Sequence, residues 1–213
     1  YFRKQAHPAG RSPAPGSVIT PYLSFTPLQE KVFFFLLGFI SIMAQLVLLR
    51  EFIKTLQGNE LFIGIFLSLW MVLAATGADT GAGSRVKIPL NRLLGMVLFM
   101  GALPLIIYLA LILITRFLFL PGYEPGMLSS ITTMLLLTGP LALCSGFLFA
   151  YVSKSLVRGR TDGSYYRLDS MGSLLAGFLF GGVLVFFLDN VQSLGFLLLI
   201  TGLTLVLAFD HPA

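Results

Sequence analysis

Residues 32–49, VFFFLLGFISIMAQLVLL, are an uncharged, almost wholly apolar run of 18 residues, and this run decides the class of the protein. A bilayer core about 30 Å thick takes about 20 helical residues to cross. The run does not alternate apolar and polar residues, as a strand of a membrane barrel would. In a chain that is 56% hydrophobic and 11% charged, it predicts an all-α integral membrane protein.

Further apolar runs follow along the chain. Together they predict six transmembrane helices, at about residues 32–49, 61–78, 93–115, 127–152, 170–188 and 191–209, which form one membrane domain over residues 32–209. Residues 1–31 contain five prolines and four basic residues and predict an irregular basic arm, whereas residues 210–213 form a short tail. Pro104 and Pro140 predict helix kinks, and Asp189 and Asn190 alone separate the last two runs, which predicts a tight antiparallel hairpin.

The distribution of Lys and Arg predicts the orientation, because cytoplasmic loops carry an excess of these residues. With six spans, one side carries 11 of the 14 basic residues, and the other carries Arg50, Lys54 and Arg116. This bias places both termini in the cytoplasm and indicates a multi-pass protein of the inner (cytoplasmic) membrane.

The composition also restricts the chemistry of this chain. The single cysteine, Cys144, excludes an internal disulfide, a cysteine-ligated zinc site and an iron–sulfur cluster, and His7 and His211 lie outside the apolar runs, which excludes a haem held by two intramembrane histidines. The sequence contains no catalytic motif, phosphate-binding glycine loop or nucleic-acid motif. We therefore expect no cofactor, no nucleic-acid partner and no enzymatic activity of this chain alone.

Several polar residues lie at the edges of the apolar runs. They are Arg50, Glu51, Asn59, Glu60, Asp79 and Asp169. One interpretation is interfacial anchoring, with Asn59 and Asp169 capping helices. The other is a pair of acidic vestibules for a cation, with Glu51 and Glu60 on the outer side and Asp79 and Asp169 on the cytoplasmic side.

Small residues at helical spacing predict close helix packing. They are Gly77, Gly81, Gly172, Ala176, Gly177 and Gly181. Trp70 is expected to pack inside the protein, and Tyr165 and Tyr166 are expected in the interfacial aromatic belt.

Three segments carry a resemblance to a known family. The stretch 38–52 (GFISIMAQLVLLREF), the stretch 58–65 (GNELFIGI) followed by Trp70 and Gly77, and the stretch 166–177 (YRLDSMGSLLAG) resemble the membrane region of fused, membrane-bound spermidine synthase-like proteins. The resemblance covers about residues 33–209. In that family a cytoplasmic aminopropyltransferase domain follows the membrane helices, and nothing in this chain resembles that domain.

Three hypotheses of function stay open at this point. The chain is a membrane module that anchors partner subunits in a larger complex, for example a respiratory or electron-transfer assembly with a quinone site. Alternatively, it carries a polyamine or another organic cation, or it is the membrane half of an aminopropyltransferase. The lipid bilayer is a partner in all three.

Overall fold

The computed structural model describes residues 27–55, 60–86, 88–118, 126–156 and 163–209. The helices are α1 Pro27–Thr55, α2 Glu60–Gly83, α3 Leu90–Leu118, α4 Met127–Leu156, α5 Ser164–Phe187 and α6 Asn190–Phe209. The described residues contain no strand, and α1 to α5 are long and apolar enough to cross a membrane. The predicted class, an all-helical polytopic membrane protein, is confirmed at that level.

Two helices begin at least five residues earlier than the sequence predicted. α1 starts at Pro27, so the assignment of residues 27–31 to an irregular arm is wrong. Proline is tolerated in the first helical turn, where its missing N–H would have no partner, and Glu30 is favourable near the positive end of the helix dipole. α5 starts at Ser164 rather than at residue 170. The predicted arm up to residue 26 and the tail 210–213 lie outside the described residues.

Neither internal proline interrupts its helix, and the one irregular helical turn among the described residues lies elsewhere. Pro104 and Pro140 lie inside uninterrupted helices α3 and α4. The irregularity is in α5, where residues Phe180–Leu184 form a π-helical turn that includes Gly181 and Gly182. Such turns insert an extra residue into the helix, and the apolar pattern carries no signal for it.

α1 is the central helix of the bundle, and α2 lies at its edge. In the most apolar window of α1, 61% of residues are buried inside the protein, whereas in α2 the share is 17%. α1 packs most extensively on α5 and also contacts α3, α4 and α6, whereas α2 packs chiefly against α4. A helix that is apolar on all sides suits a central position, but α2 is also apolar on all sides. Hydropathy therefore does not distinguish the two positions.

Contacts between helix ends define the helix directions. Glu30 of α1 meets Tyr165 of α5, and Arg50 meets the backbone at Leu188, so α1 and α5 run in the same direction. α4 is antiparallel to α1, because Phe34 lies beside Phe149, whereas Ser41 shares a 2.7 Å hydrogen bond with Ser145. The link between α5 and α6 is as short as predicted, with Leu188 extended. α6 nevertheless packs mainly on α1 and α3 and has few contacts with α5. The prediction that the two helices form a tight antiparallel hairpin is therefore wrong, although their link is short.

Glycines bring α2 and α4 into backbone contact. A Cβ atom at Gly77 would lie 2.9 Å from the carbonyl carbon of Leu143, and a Cβ atom at Gly81 would lie 3.1 Å from the Cα of Phe147. A Cβ atom at Gly146 of α4 would likewise lie 2.8 Å from the carbonyl carbon of Ala74. A side chain at any of these positions would force the helices apart. Gly77 and Gly81 thus lie at a helix contact, where the sequence predicted them.

A glycine also brings α1 and α5 into backbone contact. A Cβ atom at Gly172 would lie 2.8 Å from the carbonyl carbon of Phe35, and Ala176 on the same face is fully buried. A Cβ atom at Gly177 or Gly181 would have nothing within 4 Å, and Gly181 is exposed. The structure therefore brings four of the six small residues into helix contacts, because only one side of α5 faces α1.

Candidate functional site

The end of α1 meets the α5–α6 link through two polar side chains. Arg50 Nη1 donates a hydrogen bond of 3.0 Å to the carbonyl oxygen of Leu188, at the end of α5. A cation at this end of a helix is favourable, because the last carbonyl groups lack helical partners. The next residue, Glu51, accepts a hydrogen bond from Asn190 Nδ2. Arg50 and Glu51 therefore hold the α5–α6 link against α1.

Asn190 and Ser193 complete this group, and sequence reasoning missed both. Asn190 is 4% exposed and Ser193 is fully buried at the start of α6. Asn190 Oδ1 and Ser193 Oγ have no hydrogen-bond partner among the described residues. The only sequence signal was a polar Asp-Asn pair between two apolar runs, which indicated a turn and not a buried group.

Glu60 does not join Glu51. It is exposed at the start of α2 and lines an open groove of about 660 Å³ on that helix. The other lining residues are Leu61, Gly64, Ile65, Ser68 and Leu69. Asn59, the predicted cap of this helix, lies outside the described residues.

Asp79 and Asp169 lie on helices that pack against different neighbours. Asp79 is exposed on α2, which packs on α4, whereas Asp169 is half-buried on α5, which packs on α1. Asp169 also lies inside α5, since the helix begins at Ser164 with Gly163 as its N-cap and no side-chain capping bond. The predicted capping role of Asp169 is therefore wrong. Its backbone, with its carboxylate close by, lies against Gly38.

The opposite end of the bundle has its own polar contacts. Tyr165 Oη donates to Glu30 Oε2 at 3.0 Å, and the Tyr165 ring lies 4.6 Å from that of Phe34, so Tyr165 is a buried packing residue. The predicted belt position fits the exposed Tyr166 better. Lys154 Nζ donates to the carbonyl oxygens of Ala82 and Ser84 and thereby caps the end of α2.

Trp70 is buried and stacks on Phe66 with ring centroids 6.2 Å apart. The prediction that it packs inside the protein is confirmed. In the described part of the chain, no three His, Cys, Asp or Glu side chains come together in a way that would hold a metal ion. The polar side chains at the end of α1 instead form hydrogen bonds with the α5–α6 link.

No protein family model, characterised protein or solved structure matches this chain. The fold alone defines the class of the protein, which is a polytopic α-helical membrane protein. The resemblance to the membrane region of spermidine synthase-like proteins stays a prediction.

Proposed function

We propose that this chain is a non-catalytic membrane module that anchors partner subunits in a larger membrane complex. The observation that carries the proposal is the position of α2. Only 17% of its most apolar window is buried, because it packs chiefly against α4. Most of its surface is therefore available to lipid or to another protein.

The exposed surface of α2 has the features of a helix-binding face. Gly64 and Ser68 are small residues four positions apart, a spacing that lets a second membrane helix approach closely. They lie in the open groove that begins at the exposed Glu60. A carboxylate at the helix end offers a partner a charged contact near the membrane surface.

The positions of the acidic residues favour the anchor over a cation carrier. A carrier brings its polar groups to one site near the bilayer midplane. Here Asp79 is exposed on α2, Asp169 lies against α1, and Glu51 contacts α6. The centre of the bundle contains fully buried apolar side chains such as Met43 and Met100.

We further propose that the chain crosses the inner (cytoplasmic) membrane six times and that both termini lie in the cytoplasm. α6 has 20 residues, which span about 30 Å at 1.5 Å per residue. It begins at the end of the bundle where α1 finishes. The 11-to-3 distribution of basic residues supports the orientation. The family resemblance suggests an aminopropyltransferase domain as one partner; a respiratory assembly is the other partner that we propose testing.

Native mass spectrometry after gentle extraction from the membrane tests the anchoring role. We expect additional subunits in a fixed ratio. A photo-crosslinking residue at Ser68, in the α2 groove, should capture the same subunit, whereas one at the exposed Leu109 of α3 should capture only lipid. A protein that emerges alone, with lipid adducts from both positions, contradicts the proposal.

Cysteine labelling tests the orientation. In a Cys144→Ala background, we expect a membrane-impermeant maleimide to label Lys54→Cys in intact cells and to label Lys31→Cys only after the membrane is opened. Both lysines are exposed, at opposite ends of α1. The reverse pattern would overturn the orientation.

A further inference from the structure

Two buried polar atoms at the start of α6 lack a partner in the described part of the chain: Asn190 Oδ1 and Ser193 Oγ. Asn190 is 4% exposed and Ser193 is completely buried. A buried polar group left without a hydrogen bond destabilises the folded state, so such atoms normally meet a water or a ligand. The two residues are three positions apart and share one face of α6.

Glu51 lies beside Asn190 at the start of α6. Its carboxylate accepts a hydrogen bond from Asn190 Nδ2, and Asn190 Oδ1 sits on the same amide carbon as that nitrogen. An ionised carboxylate offers about four acceptor positions, and an amide oxygen can only accept. The Ser193 hydroxyl can donate one hydrogen bond and accept two. The group formed by Glu51, Asn190 and Ser193 therefore offers more acceptor positions than its own donors can fill.

We propose that Glu51, Asn190 and Ser193 bind a primary ammonium group. An ammonium carries three N–H donors, which match the three acceptor-bearing side chains, and a positive charge, which compensates the carboxylate. A water molecule would supply two donors and no charge. Among the described residues, Glu51 is bonded to Asn190, while the neighbouring Arg50 is bonded to the Leu188 carbonyl.

The position of the group indicates where the ammonium comes from. Glu51 lies near the end of α1 and Asn190 opens α6, so the group lies at the level of lipid headgroups. Arg50 uses one of its five N–H donors on Leu188 and can present others to a phosphate. This arrangement suits a phosphoethanolamine headgroup, in which ammonium and phosphate are neighbours. A free alkylammonium ion would use the same acceptors.

The test is a titration of the delipidated full chain with phospholipids of identical acyl chains, followed by native mass spectrometry. The headgroups are ethanolamine, its mono- and dimethylated forms, and choline. Each methyl group removes one N–H donor while the charge stays. We expect affinity to fall along the series, by about tenfold or more from ethanolamine to choline, because the charge-assisted hydrogen bonds of the ammonium are lost one by one.

Three variants locate the effect. Ser193→Ala and Glu51→Gln should reduce the preference for ethanolamine over choline about tenfold. Ser153→Ala is the matched control, since its Oγ is also buried with no hydrogen-bond partner among the described residues but lies on α4, near the opposite end of the bundle. It should leave the preference unchanged. Circular dichroism verifies that each variant remains helical, and Ser193→Ala removes only an unbonded oxygen, so it should fold.

Competition with soluble ethanolamine separates the two sources. Displacement of the lipid at millimolar concentration identifies a free amine as a sufficient ligand, whereas no displacement identifies the headgroup, and both results support an ammonium site. Equal affinity for all four headgroups, or an equal effect of Ser153→Ala, overturns the proposal and leaves a water as the partner of these atoms.

Discussion

The contact between α2 and α4 makes Gly77 the most informative position for substitution. In Gly77→Ala, the new methyl would lie 2.9 Å from the carbonyl carbon of Leu143 and closer still to its oxygen. Ordinary van der Waals contact begins at 3.4 Å, so the helices must separate by at least 0.5 Å. A gap of that size removes about a quarter of the dispersion energy at each affected contact. Because α2 packs chiefly against α4, its few contacts with other helices compensate little.

We expect the clash to cost about 2–3 kcal/mol, at the upper end of the usual range for overpacking. Alanine also favours a helix over glycine by about 1 kcal/mol. Gly64→Ala on the same helix receives that benefit without a clash, since nothing lies within 4 Å of a Cβ atom at Gly64. Comparison of the two variants therefore isolates the close approach, and Gly77→Ala should be less stable by about 2–3 kcal/mol.

The assay is reversible unfolding in mixed micelles with increasing dodecyl sulfate. Trp70 is the only tryptophan and lies on α2, where its fluorescence reports this helix pair, and circular dichroism reports total helix. Coincident transitions of the two signals justify a two-state free energy. If Gly77→Ala and Gly64→Ala unfold within about 0.5 kcal/mol of each other, α2 and α4 are not in backbone contact at this position.

Three further predictions use the same unfolding assay. Gly172→Ala should destabilise the α1–α5 pair by about 2 kcal/mol relative to Gly177→Ala, since a Cβ atom would lie 2.8 Å from a carbonyl carbon of α1 only at Gly172; equal stabilities would contradict the close approach. Tyr165→Phe should cost about 1 kcal/mol because it removes the bond to Glu30, whereas Tyr166→Phe, at an exposed position, should be neutral, and a reversed order would refute the assignment. Ser41→Ala should cost about 0.6–1.7 kcal/mol, because it leaves its serine partner on α4 without a hydrogen bond inside the bundle; an unchanged midpoint would mean that this bond does not contribute.

For the candidate site, the sequence predicted which residues form polar contacts better than it predicted which of them lie together. Arg50 and Glu51 were identified because charged groups are rare beside apolar runs, and they do form contacts between helices. Their partners were not predicted, because Asn190 lies 139 residues from Glu51 along the chain. Asp79 and Asp169 share a predicted level in the membrane, but their helices pack on different neighbours. Depth in a membrane can be read from one segment, whereas proximity across the bundle cannot.

The sequence by itself determined the class of the protein, the approximate helices and the small residues that allow close packing. These properties are local, since the length of an apolar run and the absence of a side chain depend only on neighbouring residues. Only the tertiary structure decided that α1 is central and that Gly172 meets α1 while Gly177 faces outward. It also decided that two buried oxygens at the start of α6 have no hydrogen-bond partner among the described residues. In a membrane, buried and lipid-facing positions are both apolar, so hydropathy carries no signal for which face of a helix meets another.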